Sequence, residues 1–538
     1  MTVARSVSDV LAEHVTFEVE CVDRLYLNVY VPKLQRVAGV VGFLRGHRGF
    51  PFASGALLDP ISKAFVGAIH RFVRDQNVPL IDFVKGQRKD DVAAEQLACF
   101  DRPEGVVFVG RAQEKARICR TEKRRNPTTG VAYPWIVPGT AMVNYFYFYG
   151  LDDDFGPFFV KFCSYFPYNA KLYVNGHEWA KRQAAKAGIG FTALDNGFAA
   201  VNDPDAVQEI CDQLGPEHID ALLRKWLAIL PHPFTAADRA AGYRYDISVL
   251  QAEFSLTQVL DRPVSGRVFF EEVIRDNLDL GRPDQVGLVF DRKRRVTKRT
   301  PGGFRTRVIT DGVTPSLHVD YKHSKIKQYH KLGRALRTET TVNDTRDFGI
   351  GKRLPNLPAL RRIGFCANRR LLDVQRLSHD PIDGAAAISA VNDPLLSEGG
   401  RRVAGLRILD RRVQALLAVL LIFRLQPNGF TSRDLRAHLA ELLGIPAISL
   451  TTGRISYDLR RLRLHGLIER VPGSHRYQVT VEGLRIAMFL TRVHDRLLRR
   501  GLAELCDDQP PAPSPLRSAA QRYDQAVTTL MTRSGLAA

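Results

Sequence analysis

A tyrosine near residue 330 stands in a setting that suits attack on a phosphodiester. Tyr329 lies between Lys327 and Lys331 at alternate positions, and Glu339 follows after a glycine-containing turn. A tyrosine nucleophile needs a cation that stabilises its phenolate and carboxylates that hold a divalent metal ion. We therefore take Tyr329, Lys327 and Glu339 as candidate catalytic residues.

The spacing of these side chains predicts a β-hairpin. Because strand side chains alternate between two faces, a three-residue loop over 332–334 places Tyr329 opposite Arg337. Lys327 then lies opposite Glu339, and all four side chains share one face. A two-residue loop gives another register, which the sequence leaves open. Cross-strand ion pairs on a phosphate-contacting surface are the more common use of such a face, and the residues assigned to that surface are Lys325, Lys331 and Arg337.

The same stretch has a resemblance to a known family. Residues 327–339, KQYHKLGRALRTE, are similar to the YDK…LRxE stretch in replication initiators of some plasmids and phages. That resemblance implies nicking of DNA through the tyrosine, with a metal held by carboxylates, in a mobile or replication-related element. His330 stands where the family has Asp.

Three further carboxylates are candidate ligands for a magnesium or manganese ion. Glu271 and Glu272 follow the strand-like sequence GRVFF, and Asp320 precedes Tyr321. Carboxylates at strand ends bind such ions in phosphodiester chemistry. A pair of glutamates also suits the start of a helix, where the helix dipole favours negative charge, so the structural alternative stays open.

The chain is strongly basic, and its charge is clustered. Its 538 residues carry 77 Lys and Arg against 57 Asp and Glu, which gives a formal net charge of +20. Eight Lys and Arg and no acid lie within 292–307, around a Pro-Gly-Gly turn. Clustered positive charge on a folded chain indicates a polyanionic partner, here DNA, with RNA as an alternative. From this stretch we assign Arg292, Lys293, Arg294 and Arg295 to nucleic-acid binding.

The region 405–505 is typical of three helices, a β-hairpin and a closing helix. Its second helix is predicted to begin after Thr431 or Ser432 as N-cap and to end at Gly444. The sequence ISYDLRRLRLHGLIERVPGSHRYQVT resembles the recognition helix and wing of bacterial winged-helix domains, which implies major-groove binding, although such domains also bind proteins. The residues assigned to DNA binding here are Arg454, Tyr457, Arg460, Arg461, Arg463, His475 and Arg476.

The predicted fold class is α+β, with mixed sheet domains followed by a C-terminal winged helix. A chain of this length exceeds what one core usually organises. Shifts in composition predict an α+β domain over 1–260, a basic strand-rich domain over 261–382, a Gly/Asp/Ser-rich linker over 383–404, the winged helix over 405–505 and a disordered Pro/Ser-rich tail over 506–538.

Two charged stretches and one aromatic stretch have structural explanations that compete with function. Residues 83–96 and 110–126 can form phosphate-binding loops, but their mixed charge favours a solvated helix face. The aromatic run from Tyr145 to Tyr149 can stack bases, although aromatic residues in strands more often belong to the core.

The spacing of the cysteines and the hydropathy of the chain indicate the cellular compartment. Seven cysteines lack the spacing of a disulfide framework or a zinc site, and no apolar window is long enough to span a bilayer. We expect a cytoplasmic protein without a membrane partner. The strings CVDRLYLNVYVPKLQ and NGHEWAKRQ resemble a widespread family of uncharacterised bacterial proteins, which implies no particular activity.

These observations predict a DNA-binding protein with metal-dependent nuclease or nicking activity. The alternative is a non-enzymatic winged-helix regulator that binds DNA. The length of the chain favours the enzyme, and the lack of a strong catalytic motif favours the regulator.

Overall fold

A twelve-stranded mixed sheet dominates the computed structural model of this chain. The sheet lies in one of two units, which we call the sheet unit (residues 13–274 and 283–368); the described residues from 369 onward form the C-terminal unit. The residues that the structure describes are 13–84, 86–262, 286–289, 304–311, 314–331, 334–377, 382–396, 400, 402–423, 429–494, 518–519, 521–523, 525–526 and 529.

Fourteen strands are described in the sheet unit. They are β1 (Val15–Tyr30), β2 (Leu80–Asp82), β3 (Gly105–Arg125), β4 (Ala132–Asp152), β5 (Gly156–Cys163), β6 (Ala170–Asn175), β7 (Phe191–Leu194), β8 (Gly197–Val201), β9 (Asp246–Leu260), β10 (Val286–Val289), β11 (Phe304–Asp311), β12 (Thr314–Tyr321), β13 (Ser324–Lys331) and β14 (Ala335–Val342). β7 and β8 form a separate hairpin, and the others join in the order β10-β11-β12-β13-β14-β9-β1-β6-β5-β4-β3-β2. The pairs β10–β11 and β2–β3 are parallel, and the remaining pairs are antiparallel.

Helices pack against this sheet. They are α1 (Val37–Val41), α2 (Asp59–Asp75), α3 (Lys89–Ala98), α4 (Gly176–Lys186), α5 (Pro204–Gln213), α6 (Pro216–Ile229), α7 (Ala236–Ala240) and α8 (Leu357–Leu377), with short 3-10 or π turns at Pro32–Gln35, Gly42–His47, Gly55–Leu57, Thr345–Phe348 and Leu354–Asn356. The fold is therefore mixed α and β, as the sequence predicts.

The alternation of side chains in β1 explains why this strand lies near the middle of the sheet. Leu25, Leu27 and Val29 are fully buried, whereas the residues between them are polar or aromatic and only half-buried. β1 pairs with β6 on one side and with β9 on the other. Because period-two burial requires a core on one face, this strand anchors the largest apolar cluster of the unit.

The sheet crosses the predicted domain boundary at residue 260. β14 pairs with β9 from Ala335 opposite Val259 to Val342 opposite Ala252. Strands on both sides of the boundary thus share one sheet and one set of backbone hydrogen bonds. The division into domains over 1–260 and 261–382 is replaced by a single sheet unit.

β3 and β4 are much longer than their other neighbours. They pair with each other from Gly105–Leu151 to Arg125–Ala132, whereas β2 pairs with β3 only at 109–111 and β5 pairs with β4 only at 145–152. Beyond those points the two strands form what we call the β3–β4 ribbon (residues 112–125 and 132–144). The sequence favoured a helix over 110–126, and the structure shows strand instead.

The C-terminal unit has the predicted order of elements. After the end of α8 it contains α9 (Gly384–Asn392), β15 (Leu395–Leu396), β16 (Arg402–Val403), α10 (Arg411–Phe423), α11 (Ser432–Leu443), the 3-10 turn Ala447–Ser449, α12 (Thr452–Leu464), β17 (Ile468–Arg470), β18 (Tyr477–Val479) and α13 (Val481–Arg492). Thr431 caps α11 in a capping box with Asp434, and Gly444 ends it with φ 68°.

The described residues of the predicted linker over 383–404 include a helix and a short strand pair. Asp383 caps α9, in which Ala387 and Val391 are buried, and β15 pairs with β16. His465, the residue that follows α12, contacts the carbonyl of Ala390 at 2.9 Å from Nδ1. The alanine-rich residues 384–392 therefore form a packed helix and not a linker between two domains. Of the predicted tail over 506–538, only the residues at 518–529 given above are described.

No helix in the described part of the chain combines the length and apolar character that crossing a bilayer requires.

Candidate functional site

One side of α12 presents basic and aromatic side chains to solvent. Arg454, Arg460 and Arg463 are exposed, and Tyr457 is 51% exposed. The opposite side of the helix is apolar and buried through residues such as Leu459. Because residues three or four apart share a helix face, packing of the apolar stripe forces the arginines outward.

Two of the predicted DNA-binding arginines also hold the unit together. Arg461 donates to the backbone carbonyls of Ala404, at 3.3 Å, and Gly405. Arg476 donates from Nη2 to the carbonyl of Gly429 at 2.7 Å. In each guanidinium, at least one N–H is therefore already hydrogen-bonded within the protein. His475, at the tip of the β17–β18 hairpin, is exposed.

The β17–β18 hairpin follows α12 directly and is braced by a third segment. Ile468 pairs with Val479, and Phe430 exchanges two backbone hydrogen bonds of 2.8 Å with Tyr477. The hairpin is therefore tied to the segment before α11 by backbone hydrogen bonds, and its turn is exposed at Pro472, Gly473 and His475.

The predicted hairpin in the sheet unit has one of the two registers that the sequence leaves open. Tyr329 lies opposite Arg337 and Lys327 lies opposite Glu339, as a three-residue loop requires. The Tyr329 hydroxyl donates to Glu339 Oε1 at 2.8 Å, and Lys327 Nζ lies 4.0 Å from the centre of the Tyr329 ring. The structure therefore brings the three candidate catalytic residues together, and the two-residue alternative is wrong.

Arg337, on the second strand of this hairpin, belongs to a buried network of charged and polar side chains. Its side chain is fully buried, with Nη2 2.7 Å from Asp23 Oδ2 and also 2.7 Å from His177 Nε2. Its Nε lies 2.8 Å from Glu339 Oε1, close enough for an ion pair although the angle is poor for a hydrogen bond. His177 Nε2 also lies 2.9 Å from Ser255 Oγ, and the buried Nδ1 of His177 has no hydrogen-bond partner among the described residues.

The β7–β8 turn covers this network. The Asn196 carbonyl accepts from Arg337 Nη1 and, at 3.0 Å, from Lys331 Nζ. Its side-chain amide donates to Asp23 Oδ1. We call the group formed by Asp23, His177, Tyr329, Lys331, Arg337 and Glu339 the ionic cluster. The expectation that Arg337 and Lys331 contact phosphate is corrected, because they are 0% and 8% exposed and their donors face the protein.

Asn175, which precedes α4, positions both His177 and Asn196. Asn175 caps the helix by accepting from the backbone N–H of His177 at 2.9 Å and of Glu178 at 3.3 Å. Its amide also donates to Asn196 Oδ1 at 2.8 Å. The sequence Asn-Gly-His-Glu thus starts a helix and aims His177 at the sheet.

The surroundings of Tyr329 in the ionic cluster disfavour ionisation of its phenol. Burial, reinforced by the charge of Glu339, raises the pKa of Tyr329 well above its usual range. Burial also lowers the pKa of Lys327, although Glu339 counteracts this effect. Burial alone would raise the pKa of Asp23, but the charge of Arg337 holds it well below its usual range. At neutral pH the phenol is protonated, and Glu339 is the acceptor placed to take its proton.

One group beside the ionic cluster and one member of it have pKa values shifted towards neutrality. Burial, together with the charges of Asp23 and Glu339, raises the pKa of Glu253 to about 7. Burial and the nearby Arg337 lower the pKa of Lys331 to about 8. Perturbed groups of this kind collect at functional sites as well as in structural ion networks.

A second polar group lies on the β3–β5 part of the sheet. Lys161, 5% exposed, donates to Glu114 Oε2 at 2.7 Å and to the Tyr147 hydroxyl at 3.0 Å. Lys89 of α3 donates to Glu114 Oε1 at 3.0 Å and lies 4.0 Å from the centre of the Tyr147 ring. The aromatic run 145–149 is buried throughout, so these rings belong to the core.

The remaining predicted residues are not gathered into one site. Asp320 of β12 pairs with the half-buried Lys325 of β13, while Glu339 lies on β14, two strand spacings or roughly 10 Å across the sheet. Within the described residues no group of three or more His, Cys, Asp or Glu is placed to hold a metal ion. The predicted residues that lie outside the described part of the chain are Glu271, Glu272, Arg292, Lys293, Arg294 and Arg295.

Sequence reasoning missed two members of the ionic cluster. Asp23 and His177 are 314 and 160 positions from Arg337, so no local pattern links them. The one available signal was Asp23, a carboxylate at a position where the alternation of residues 17–29 otherwise places apolar side chains. Comparison with known proteins gives no relative, since no family model, curated protein or solved structure matches the chain.

Proposed function

We propose that this protein binds double-stranded DNA through the C-terminal unit. The observation that carries the proposal is the exposed side of α12, with Arg454, Tyr457, Arg460 and Arg463, followed directly by the β17–β18 hairpin. An α-helix fits the major groove, and a hairpin beside it reaches the adjacent backbone in winged-helix proteins.

The charge of the region supports a polyanionic partner. Residues 401–538 contain 22 Arg, no Lys and 11 Asp and Glu. Arginine offers a planar fork of donors that matches phosphate and the guanine edge better than lysine does. The exposed arginines of α12 have no acidic partner among the ion pairs of the described residues, which leaves their donors for DNA.

The test compares two triple variants that lose the same charge. Arg454→Ala, Arg460→Ala and Arg463→Ala together remove the α12 surface; Arg71→Ala, Arg74→Ala and Arg102→Ala remove three exposed arginines of the sheet unit. Binding of a labelled duplex is followed by fluorescence anisotropy across a salt series.

We expect the α12 variant to lower the slope of log K against log salt by roughly 2–3, because each lost phosphate contact removes about 0.9. The sheet-unit variant should keep the slope of the parent protein. Equal slopes and affinities for the parent and the α12 variant would refute the proposal.

A second candidate function is phosphodiester transfer at Tyr329, and the hydrogen bond to Glu339 favours it. In that reaction the phenolic oxygen would bond to phosphorus, its proton would pass to Glu339, and a deoxyribose oxygen would leave. The raised pKa of the phenol means that Glu339 must act as the base. Incubation with duplex or single-stranded DNA and Mg²⁺ or Mn²⁺ should then give a covalent adduct that Tyr329→Phe abolishes. If neither cleavage nor adduct forms, the non-enzymatic regulator is the better description.

A further inference from the structure

The β3–β4 ribbon is an extended, two-stranded element with neighbours on neither edge in the described sheet. Its longer strand, residues 112–125, spans roughly 45 Å at about 3.3 Å per residue. One side is anchored, because Ile136 is buried in the main core and the Gly55 N–H donates to Thr121 Oγ1 at 2.6 Å. The ribbon is therefore held against the sheet unit at this point, while Lys and Arg side chains on both of its faces remain exposed.

The exposed surfaces of the ribbon are positively charged. The exposed cations along 112–125 are Lys115, Arg117, Arg120, Lys123, Arg124 and Arg125. Only two acids lie on the same strand segment, Glu114 and Glu122. Glu114 is engaged by Lys89 and Lys161, and Glu122 pairs with Arg120 at 2.9 Å. Most of the positive charge thus has no compensating acid on the ribbon.

Aromatic side chains are exposed near the far end of the ribbon. Trp135 is 41% exposed and Tyr133 is 38% exposed, and their ring centres are 6.3 Å apart. The Arg124 guanidinium lies 4.8 Å from the centre of the Trp135 ring. Large aromatic side chains next to clustered cations are typical of surfaces that contact a partner.

We propose that the β3–β4 ribbon is a second DNA-binding element and that its ligand is duplex DNA. A two-stranded ribbon fits the major groove, which is about 12 Å wide, because its strands are only about 4.8 Å apart. Cations on both faces can then reach the phosphates that line the groove. Lysine and arginine on the strand edges also disfavour addition of a protein strand, which argues against a β-sheet partner. The choice of DNA rests on the proposed function of the C-terminal unit.

The test again compares variants that lose equal charge. Arg117→Gln, Lys123→Gln and Arg125→Gln change only exposed ribbon positions, and Arg71→Gln, Arg74→Gln and Arg102→Gln are the matched control. Binding of the full-length protein to a labelled duplex of about 30 base pairs is measured by anisotropy across a salt series. We expect the ribbon variant to lower the log–log slope by roughly 2–3 and the control to leave it unchanged.

A second readout does not alter the charge of the ribbon. Trp135→Phe identifies the part of the tryptophan emission that comes from the ribbon, and this part should change when duplex DNA is added. An unchanged slope in the ribbon variant, or tighter binding of single-stranded DNA or double-stranded RNA than of duplex DNA, would overturn the inference.

These experiments distinguish a failure of the inference about the ribbon from a failure of the proposed function of the C-terminal unit. If the ribbon variant matches the parent protein while the α12 variant loses affinity, the inference is wrong and the proposed function stands. If the α12 variant matches the parent while the ribbon variant loses affinity, the ribbon binds DNA and the proposed role of the C-terminal unit is wrong.

Discussion

Replacement of Arg337 by methionine should strongly destabilise the sheet unit. Methionine keeps the length of the side chain but removes the cation that lies 2.7 Å from Asp23 and 2.8 Å from Glu339. The two carboxylates then remain in a buried site without their counter-charge. Removal of one partner from a buried ion network costs about 3–5 kcal/mol of unfolding free energy, and we expect Arg337→Met to fall in that range at pH 7.

The effect of this substitution should depend on pH in a defined direction. In the parent protein the pKa of Asp23 is lowered, so its stabilising contribution is present above the unfolded pKa of about 3.9 and is lost as pH falls through the folded value. Without Arg337, burial raises the pKa of Asp23 instead, and acid then favours the folded variant by neutralising the carboxyl. The difference in stability between parent and variant should therefore shrink by at least about 1 kcal/mol between pH 7 and pH 4.5.

Tryptophan fluorescence makes this measurement specific to one unit. The three tryptophans of the chain, at 135, 179 and 226, all belong to the sheet unit, so urea unfolding followed by their emission reports that unit. Arg334→Met is the matched control, because Arg334 is exposed in the turn of the same hairpin. A loss below about 1 kcal/mol for Arg337→Met, with no change between pH 7 and pH 4.5, would refute the view that Arg337 neutralises buried carboxylates.

Two further substitutions test the raised pKa of Glu253 in the sheet unit and, separately, the packing of the C-terminal unit at Gly483. Because the pKa of Glu253 is about 7 in the folded protein and about 4.3 when unfolded, stability should fall as pH rises through that window. Glu253→Gln should flatten this pH dependence and stabilise the sheet unit at pH 8 by about 1–3 kcal/mol in urea unfolding, and an unchanged profile would contradict the assignment. A Cβ at Gly483 would lie 2.0 Å from the backbone oxygen of Leu467, so Gly483→Ala should lower the melting temperature of the C-terminal unit by circular dichroism without changing tryptophan-monitored unfolding. Gly453→Ala is the control, because a Cβ added there would meet open space, and it should be neutral or stabilising. Equal losses of stability in Gly453→Ala and Gly483→Ala would contradict the packing argument.

Local patterns in the sequence predicted the hairpin of β13 and β14 but left two registers open. Alternating charges flank a glycine, and period-two alternation leaves few registers once the loop length is chosen. The structure has the register of the three-residue loop, with Lys331 opposite Ala335. The capping residues of α11 were predictable for the same reason, since N-cap and C-cap signals are local.

Features decided by tertiary contacts were not predictable in this way. Residues 112–125 are rich in Ala, Glu, Lys and Arg, which favour helices, yet they form a strand because β4 offers a long partner with β-branched and aromatic residues. The phosphate-contacting role assigned to Arg337 failed because its partners, Asp23 and His177, lie on distant parts of the chain. A charge pattern shows that side chains share a face, but burial depends on what covers that face.

The position of β1 in the sheet has a consequence for biosynthesis. Val15 pairs with Leu260, so one edge of β1 lacks its partner until about 245 more residues have been made. At translation rates of about 5–20 residues per second, that interval is roughly 12–50 s. During this time a strand with one apolar face and open hydrogen-bonding groups is present on the ribosome, where it can pair with other nascent chains. We therefore expect chains that end before β9 to aggregate, and the yield of native protein during expression to depend on elongation rate and on chaperones that shield β1.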